Sequence, residues 1–310
     1  MTKITAPDGT PVSPFCFGAM QFGGGADEGT SRALYDACRN RGVNAFDTAH
    51  SYTDGTSETY LGRFAARERD SLVIATKAPF SRPQTRSEIL AGFDESRRRL
   101  GLDSVDILYL HRFDPDTPPQ ETFETLARLQ SDGLIRHVGV SNYAAWQVMR
   151  AQAVAAACGT RIDIVQPMYN LVKRQAETEI LPMALDEDIA VATYSPLGGG
   201  LLSGKYAAGG TGRLTEDERY SARYAPDWMH AAASDLVTLA TEVGTDPATL
   251  AVAWVARHPA VTMPIVSART VAQLLPSLAA LDFELDDALM ARLSALSPAP
   301  APATDRLEEA

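Results

Sequence analysis

Short runs of apolar, β-favouring residues recur along this chain at a nearly constant interval, and nothing else in the sequence constrains the fold as tightly. The runs are Phe15–Gly18, Val43–Phe46, Leu72–Thr76, Val105–Leu110, Arg136–Val140, Asp163–Gln166, Ile189–Tyr194 and Val261–Val266; the first seven begin 26 to 33 residues apart. They are continuous rather than alternating, as in strands covered on both faces of a parallel sheet. Helical patterns fill the intervals. Thr30–Arg41 places Ala33, Leu34, Ala37 and Cys38 on one face. Thr85–Leu100 opens with a capping box, Thr85-Arg-Ser-Glu88, and stripes Ile89, Phe93, Ser96 and Leu100. Asp246-Pro247 reads as an N-cap followed by Pro at the first helical position, and Gly101, Gly133 and Gly244 fall where helices should stop.

Eight strand–helix units predict an α/β fold: one (β/α)8 barrel over residues 1–310. The rival, a doubly wound open sheet, would carry G-x-G-x-x-G after an early strand, and no three glycines here have that spacing. Residues 3–14 read as an N-terminal β-hairpin around Pro7-Asp8-Gly9, closing the barrel bottom. The long interval before the last strand contains Gly204–Pro226, rich in Gly, Tyr and Arg, which reads as a loop. Residues 297–310 read as an irregular tail.

Composition bounds the class. With 45% hydrophobic and 22% charged residues the chain is neither disordered nor fibrous. Three scattered cysteines, Cys16, Cys38 and Cys158, form no disulfide framework and fit a reducing, cytoplasmic setting. A net charge of −11 disfavours nucleic acid and anionic membrane as partners. No apolar run is long enough to span a bilayer, and the opening residues lack the apolar core of a secretory signal. Among 28 basic residues only Lys3, Lys77, Lys173 and Lys205 are lysines, so each retained lysine is a candidate for chemistry that arginine cannot do.

In such a barrel the chemistry sits where strands end. Asp47 and Tyr52 follow the second run, Lys77 ends the third, and His111 follows the fourth. Ser141-Asn142, Gln166, Tyr194-Ser195 and Ser267-Ala-Arg269 follow the rest. A free tyrosine titrates near 10 and is a poor acid at neutrality. A close ammonium lowers that value, and a carboxylate keeps the ammonium charged. Asp47 would hold Lys77, Lys77 would tune Tyr52, and Tyr52 would protonate a carbonyl oxygen beside His111. Taken singly, each has a structural reading: a turn Asp, an edge Lys, a packed His.

The motifs that carry these residues resemble the aldo-keto reductases. They are Asn44-Ala-Phe-Asp-Thr-Ala-His-Ser-Tyr52, Ile74-Ala-Thr-Lys77, Leu108-Tyr-Leu-His111, Ile135-Arg-His-Val-Gly-Val-Ser-Asn142, Val165-Gln-Pro-Met-Tyr-Asn170 and Tyr194-Ser-Pro-Leu-Gly-Gly-Gly-Leu-Leu-Ser-Gly-Lys205. The resemblance implies NADPH-dependent reduction of an aldehyde or ketone, with NAD(H) the less favoured cofactor and a small carbonyl or alcohol as substrate. It makes Tyr52 the proton donor, Lys77 and Asp47 its supports and His111 the carbonyl-orienting residue. It places Gly18, Ala19 and Met20, with Asp47, beside the nicotinamide and its ribose. Ser141, Asn142 and Gln166 would bind the carboxamide, and Tyr194 would stack on the ring. Ser195, Pro196, Leu197, Gly200 and Leu202 would cover the pyrophosphate, where Lys205 either adds a charge or caps the loop in solvent. Arg269 would pair with the 2′-phosphate and Gln273 would contact adenine. The family commonly has Glu-Asn further along that helix; Pro276-Ser277 stand here instead, which predicts weaker adenine contacts.

Other features read as incidental. Gly199-Gly-Leu-Leu-Ser-Gly-Lys205 resembles a P-loop, but Tyr206 stands where the Mg²⁺-holding hydroxyl belongs. His50, His137, His230 and His258 lack metal-ligand spacing, so no metal is expected. Arg97-Arg-Arg99 reads as a solvated helix face. Phe22, Phe113, Tyr220, Tyr224 and Trp228 fit a substrate mouth or ordinary packing equally well. Two other functions are the rivals: a redox-sensing, nucleotide-binding regulatory subunit with slow turnover, for which no partner-docking extension shows, and a Schiff-base lyase using Lys77, which needs a lysine pKa lowered by burial while the neighbouring Asp47 pushes the other way.

Overall fold

The computed structural model describes residues 3–306 and 308, except 82 and 208. Residues 307, 309 and 310 of the predicted tail lie outside the described residues. Eight parallel strands close a barrel in chain order. The first half runs β1 (Cys16–Gly18), α1 (Glu28–Asn40), β2 (Ala45–Asp47), α2 (Thr56–Ala65), β3 (Val73–Lys77), α3 (Arg86–Leu100), β4 (Val105–Leu110) and α4 (Pro119–Ser131). β5 (Ile135–Ser141), α5 (Ala145–Ala157), β6 (Ile164–Gln166), α6 (Ile180–Asp186) and β7 (Ala190–Tyr194) follow. Between β7 and the last strand the described residues form α7 (Arg213–Glu216), α8 (Glu218–Arg223), α9 (Asp227–Val243) and α10 (Pro247–Arg257). β8 (Met263–Val266), α11 (Val271–Ala279) and α12 (Asp287–Ser294) complete the order. β8 pairs back with β1, Cys16 opposite Ile265.

Every predicted run contains a strand, and no boundary moves by more than two residues. The helix signals also hold. Thr85 accepts from the Glu88 amide, Asp246 from the Ala248 amide, and Gly101 and Gly244 end their helices in the left-handed conformation.

Two apolar layers explain the closure. Side chains facing the barrel axis, among them Cys16, Ala45, Ala75, Ile107, Tyr109, Ala192 and Met263, fill its interior. Those on the outer face, such as Phe17, Phe46, Ile74, Leu108 and Val191, are buried beneath the helices. Each such large side chain contributes about 1.5–3 kcal/mol on burial. Many of these side chains are small, and the large ring of Tyr109 has a dedicated space. A Cβ on Gly139 of β5 would overlap Tyr109 of β4.

The hairpin closes the bottom. Ile4 and Ala6 pack into the interior layer, and Thr5 bridges Pro11 antiparallel around a turn with Gly9 at φ +90°. Arg136 of β5 holds it, donating to the Thr5 carbonyl and, at 3.0 Å, to its hydroxyl. The same guanidinium lies 3.1 Å from Asp106, which is fully buried and is also met by Arg69 at 2.8 Å. Pairing a buried carboxylate twice offsets its loss of hydration.

Two readings need correction. Gly204–Pro226 is not simply a loop, since it folds into α7 and α8. Elements of four and six residues are too short to show periodicity; they are fixed by contacts, such as Glu216 to Arg269 at 3.1 Å. Arg97-Arg-Arg99 is not uniformly a solvated face. Arg99 turns inward, 3.2 Å from buried Glu58 and 2.6 Å from Glu95.

Candidate active site

Each predicted catalytic residue lies at the same end of the barrel. Asp47 ends β2, Lys77 ends β3, His111 follows β4, and Tyr52 lies in a one-turn 3-10 segment after β2. Asp47 and Lys77 are 3% and 1% exposed and form a buried ion pair, Nζ to Oδ1. Lys77 Nζ also donates to the Thr48 carbonyl at 2.8 Å. Nζ lies 4.9 Å from the Tyr52 ring centroid. The second Asp47 oxygen accepts from Gln166 Nε2 at 2.9 Å.

The protonation states follow from competing effects. Burial disfavours the ammonium of Lys77, yet Asp47 and Tyr52 together raise its pKa above the usual lysine value. Burial raises the Tyr52 pKa, and Lys77 pulls it back only in part. The expected net lowering is therefore absent: desolvation outweighs the ammonium, and the phenol keeps its proton at neutral pH. Burial and the Lys77 charge depress His111 to about 3, leaving a neutral imidazole. Its Nδ1 is buried with no partner among the described residues. The Tyr52 and His111 rings meet edge-on, centroids 5.9 Å apart, and Phe80 meets His111 at 5.1 Å.

The loop that carries Tyr52 is held by a clamp. Thr53, Asp54 and Gly55 take φ of +46°, +51° and +89°, and the first two adopt it at a steric cost. Arg99 Nη1 donates to the His50 carbonyl at 2.9 Å, while His50 Nε2 meets Glu95 at 2.9 Å. Glu58 takes Arg99 on one oxygen and Thr76 Oγ1 on the other, tying this loop to β3. Nothing in the run Arg97-Arg-Arg99 marks Arg99 for this role.

The remaining predicted residues lie on or just after the ends of the other strands, at the same end of the barrel as Tyr52. Gly18 ends β1, and Ala19 and Met20 form the turn after it. Ser141 ends β5, and Asn142 follows at φ +60°, donating to the His111 carbonyl at 2.9 Å and to Ser141 Oγ at 3.1 Å. The Tyr194 hydroxyl donates to Asn142 Oδ1 at 2.7 Å, fixing its ring. Ser195 lies at φ +59°, and Pro196 and Leu197 lead into Gly198, Gly199 and Gly200, all at positive φ. Lys205 folds back on this turn, where a Cβ on Gly200 would be 2.8 Å from its Cε. Leu202 is fully buried beneath it. At the far end Arg269 is ion-paired with Glu216, and Gln273 Oε1 accepts from its amide at 3.1 Å. Among the aromatic residues raised for a mouth, Phe22 and Tyr224 are instead fully buried, and Trp228 is exposed.

The family model for the aldo/keto reductase family matches residues 14–298, nearly the whole chain. This chain is an aldo-keto reductase. It is 31% identical to the uncharacterized oxidoreductase YrpG of Bacillus subtilis, over 94% of each chain. It is 34% identical to a probable voltage-gated potassium channel subunit beta of Arabidopsis thaliana, over 90% of each chain. It is 37% identical to aflatoxin B1 aldehyde reductase member 2 of Rattus norvegicus, over 66% of this chain and 59% of the relative. The reductase is therefore an oxidoreductase acting on carbonyl groups, from a family that uses nicotinamide cofactors. The residues at this end fit such a group. Gly198, Gly199 and Gly200 take positive φ, and the side chains of Tyr224, Tyr220 and Lys205 pack against them. Ser267 Oγ, just after β8, is buried without a partner among the described residues. Arg269 stands beyond it, and Arg213, unforeseen from the sequence, is carried by α7 over the same turn. No described helix is long and apolar enough to cross a membrane.

Proposed function

We propose that this reductase converts an aldehyde or ketone to the alcohol using NADPH, with Tyr52 as the proton donor. The observation that carries the reading is the buried Asp47–Lys77 ion pair set 4.9 Å from the Tyr52 ring, at the strand ends beside His111. NADPH would supply the hydride. Tyr52 gives its proton to the carbonyl oxygen, and Lys77, kept charged by Asp47, stabilises the phenolate left behind. Neutral His111 donates a hydrogen bond to the oxygen as charge develops there. Asn142, Ser141 and Gln166 would hold the carboxamide, Tyr194 the ring face, and Gly18, Ala19 and Met20 the nicotinamide ribose. Ser195, Pro196, Leu197, Gly200, Leu202 and Lys205 would surround the pyrophosphate, with Gln273 toward the adenine. Arg269 would take the 2′-phosphate in exchange for Glu216.

The test is NADPH oxidation across a panel of aldehydes and ketones, with NADH in parallel. Turnover of some members, lost in Tyr52→Phe, is the expected result; no turnover by protein that demonstrably binds NADPH would defeat the proposal. A second reading draws on the relatives named as potassium channel β subunits, 33% and 34% identical. It makes the chain a nucleotide-binding sensor, for which one rapid oxidation of bound NADPH would be followed by negligible steady-state turnover.

A further inference from the structure

The reductase has 39 acidic and 28 basic residues. In that background half-buried guanidiniums find carboxylates. Every half-buried arginine among the described residues makes such an ion pair, from Arg39 with Glu68 to Arg269 with Glu216, save Arg112, Arg213 and Arg223. All three exceptions lie on segments that follow strands, at the catalytic end.

They are not equivalent. Arg213 donates to the Tyr220 hydroxyl at 3.3 Å and belongs to the covering of the glycine turn. Arg112 donates Nε to the Phe80 carbonyl at 2.7 Å, with its plane 5.6 Å from the Phe80 ring. Arg223 makes no side-chain hydrogen bond among the described residues; its guanidinium lies 5.1 Å from the Tyr220 ring centroid. Its helix, α8, is seated firmly. A Cβ on Gly199 would be 2.9 Å from the Tyr220 ring, and one on Gly198 3.3 Å from the Tyr224 ring. Asn170 Nδ2 reaches both the Ser195 carbonyl and the Tyr224 hydroxyl. Arg223 thus stands beside the β7 turn. Its charge reaches Tyr194, and Tyr220 is within electrostatic reach of Tyr52. Lys173 adds a second cation there, 5.8 Å from the Tyr224 ring.

A guanidinium held half out of water, with its N–H fork free, is complementary to a carboxylate. Resting on the reductase reading, we propose that the substrate is a carbonyl compound carrying a carboxylate, an oxo or formyl acid, whose anionic end is held by Arg223 while its carbonyl faces Tyr52.

The test compares 4-formylbenzoate with its neutral methyl ester as substrates, at low and high salt. A charge-assisted contact of this kind is worth about 10- to 100-fold in kcat/KM. The acid should be preferred by that margin, chiefly through KM, and the margin should shrink with salt. In Arg223→Met and Arg223→Gln the acid-to-ester ratio should fall toward unity, with Arg223→Lys retaining part of it. Equal use of acid and ester by the wild-type protein would overturn the proposal, and that comparison needs no variant. So would a preference that survives in the Arg223 variants, or that vanishes in Arg112→Met instead. If neither aldehyde is reduced while other carbonyl compounds of the panel are, this inference falls and the reductase reading stands; if no carbonyl compound is reduced, both fall.

Discussion

Arg99 occupies the space that a side chain at position 55 would need: a Cβ on Gly55 would overlap its guanidinium. The left-handed turn after Tyr52 and the arginine one helix away are thus complementary parts. Arg99→Met should leave Glu58 buried and unpaired, costing about 3–5 kcal/mol of stability. It should also lower kcat, because the Tyr52 loop loses its tie at the His50 carbonyl. Urea denaturation and steady-state kinetics check both effects; a variant with wild-type kcat would show that the clamp is structural only.

Tyr52→Phe is expected to lower kcat by about 10²–10⁴, with NADPH affinity nearly intact. Fluorescence titration of the nucleotide separates the two parameters. Near-normal turnover would remove Tyr52 from the mechanism.

Lys77→Met should be at least as damaging to kcat and should also destabilise the fold, since Asp47 loses its counter-charge in a buried setting. Adding Asp47→Asn should restore stability without restoring turnover. Recovery of both would mean that the pair serves folding alone.

His111 has its pKa depressed to about 3. A depressed folded-state value contributes stability that is present above the unfolded histidine value, near 6.5, and lost as pH falls toward 3. The Tm of His111→Phe should therefore fall less than wild type between those limits. The wild-type rate should show no inflection near 6.5 from this residue; one that disappears in His111→Gln would contradict a neutral imidazole.

Glu216 and Arg269 make an ion pair that is largely accessible to solvent, so the pair itself is worth little. A 2′-phosphate brings more charge than one carboxylate and should displace it. Glu216→Gln should tighten NADPH binding several-fold and leave NADH nearly unchanged, whereas Arg269→Met should weaken NADPH selectively. Equal shifts for both nucleotides would place the 2′-phosphate elsewhere.

The strands were legible because burial on both faces makes a parallel strand a continuous apolar run, and the interior ending of each run exposes the next polar residue. That logic located Asp47, Lys77 and His111 without any view of the fold. Arg99 was not legible for a geometric reason. Successive helical residues point about 100° apart, so Arg97, Arg98 and Arg99 face three directions, and only packing decides which turns inward. α7 and α8 were hidden because their order comes from Glu216 on Arg269 and Tyr220 on Gly199, contacts remote in sequence. The protonation of Tyr52 depended on the depth of burial around Lys77, which spacing along a chain does not encode.

The Arg136 tether to Thr5 lies at the end of the barrel opposite Tyr52. The rim that carries the tether holds none of the residues assigned to catalysis. Lineages built on this plan can exchange the segments that choose a substrate while leaving the tethered end untouched, so divergence in specificity need not be accompanied by divergence in robustness.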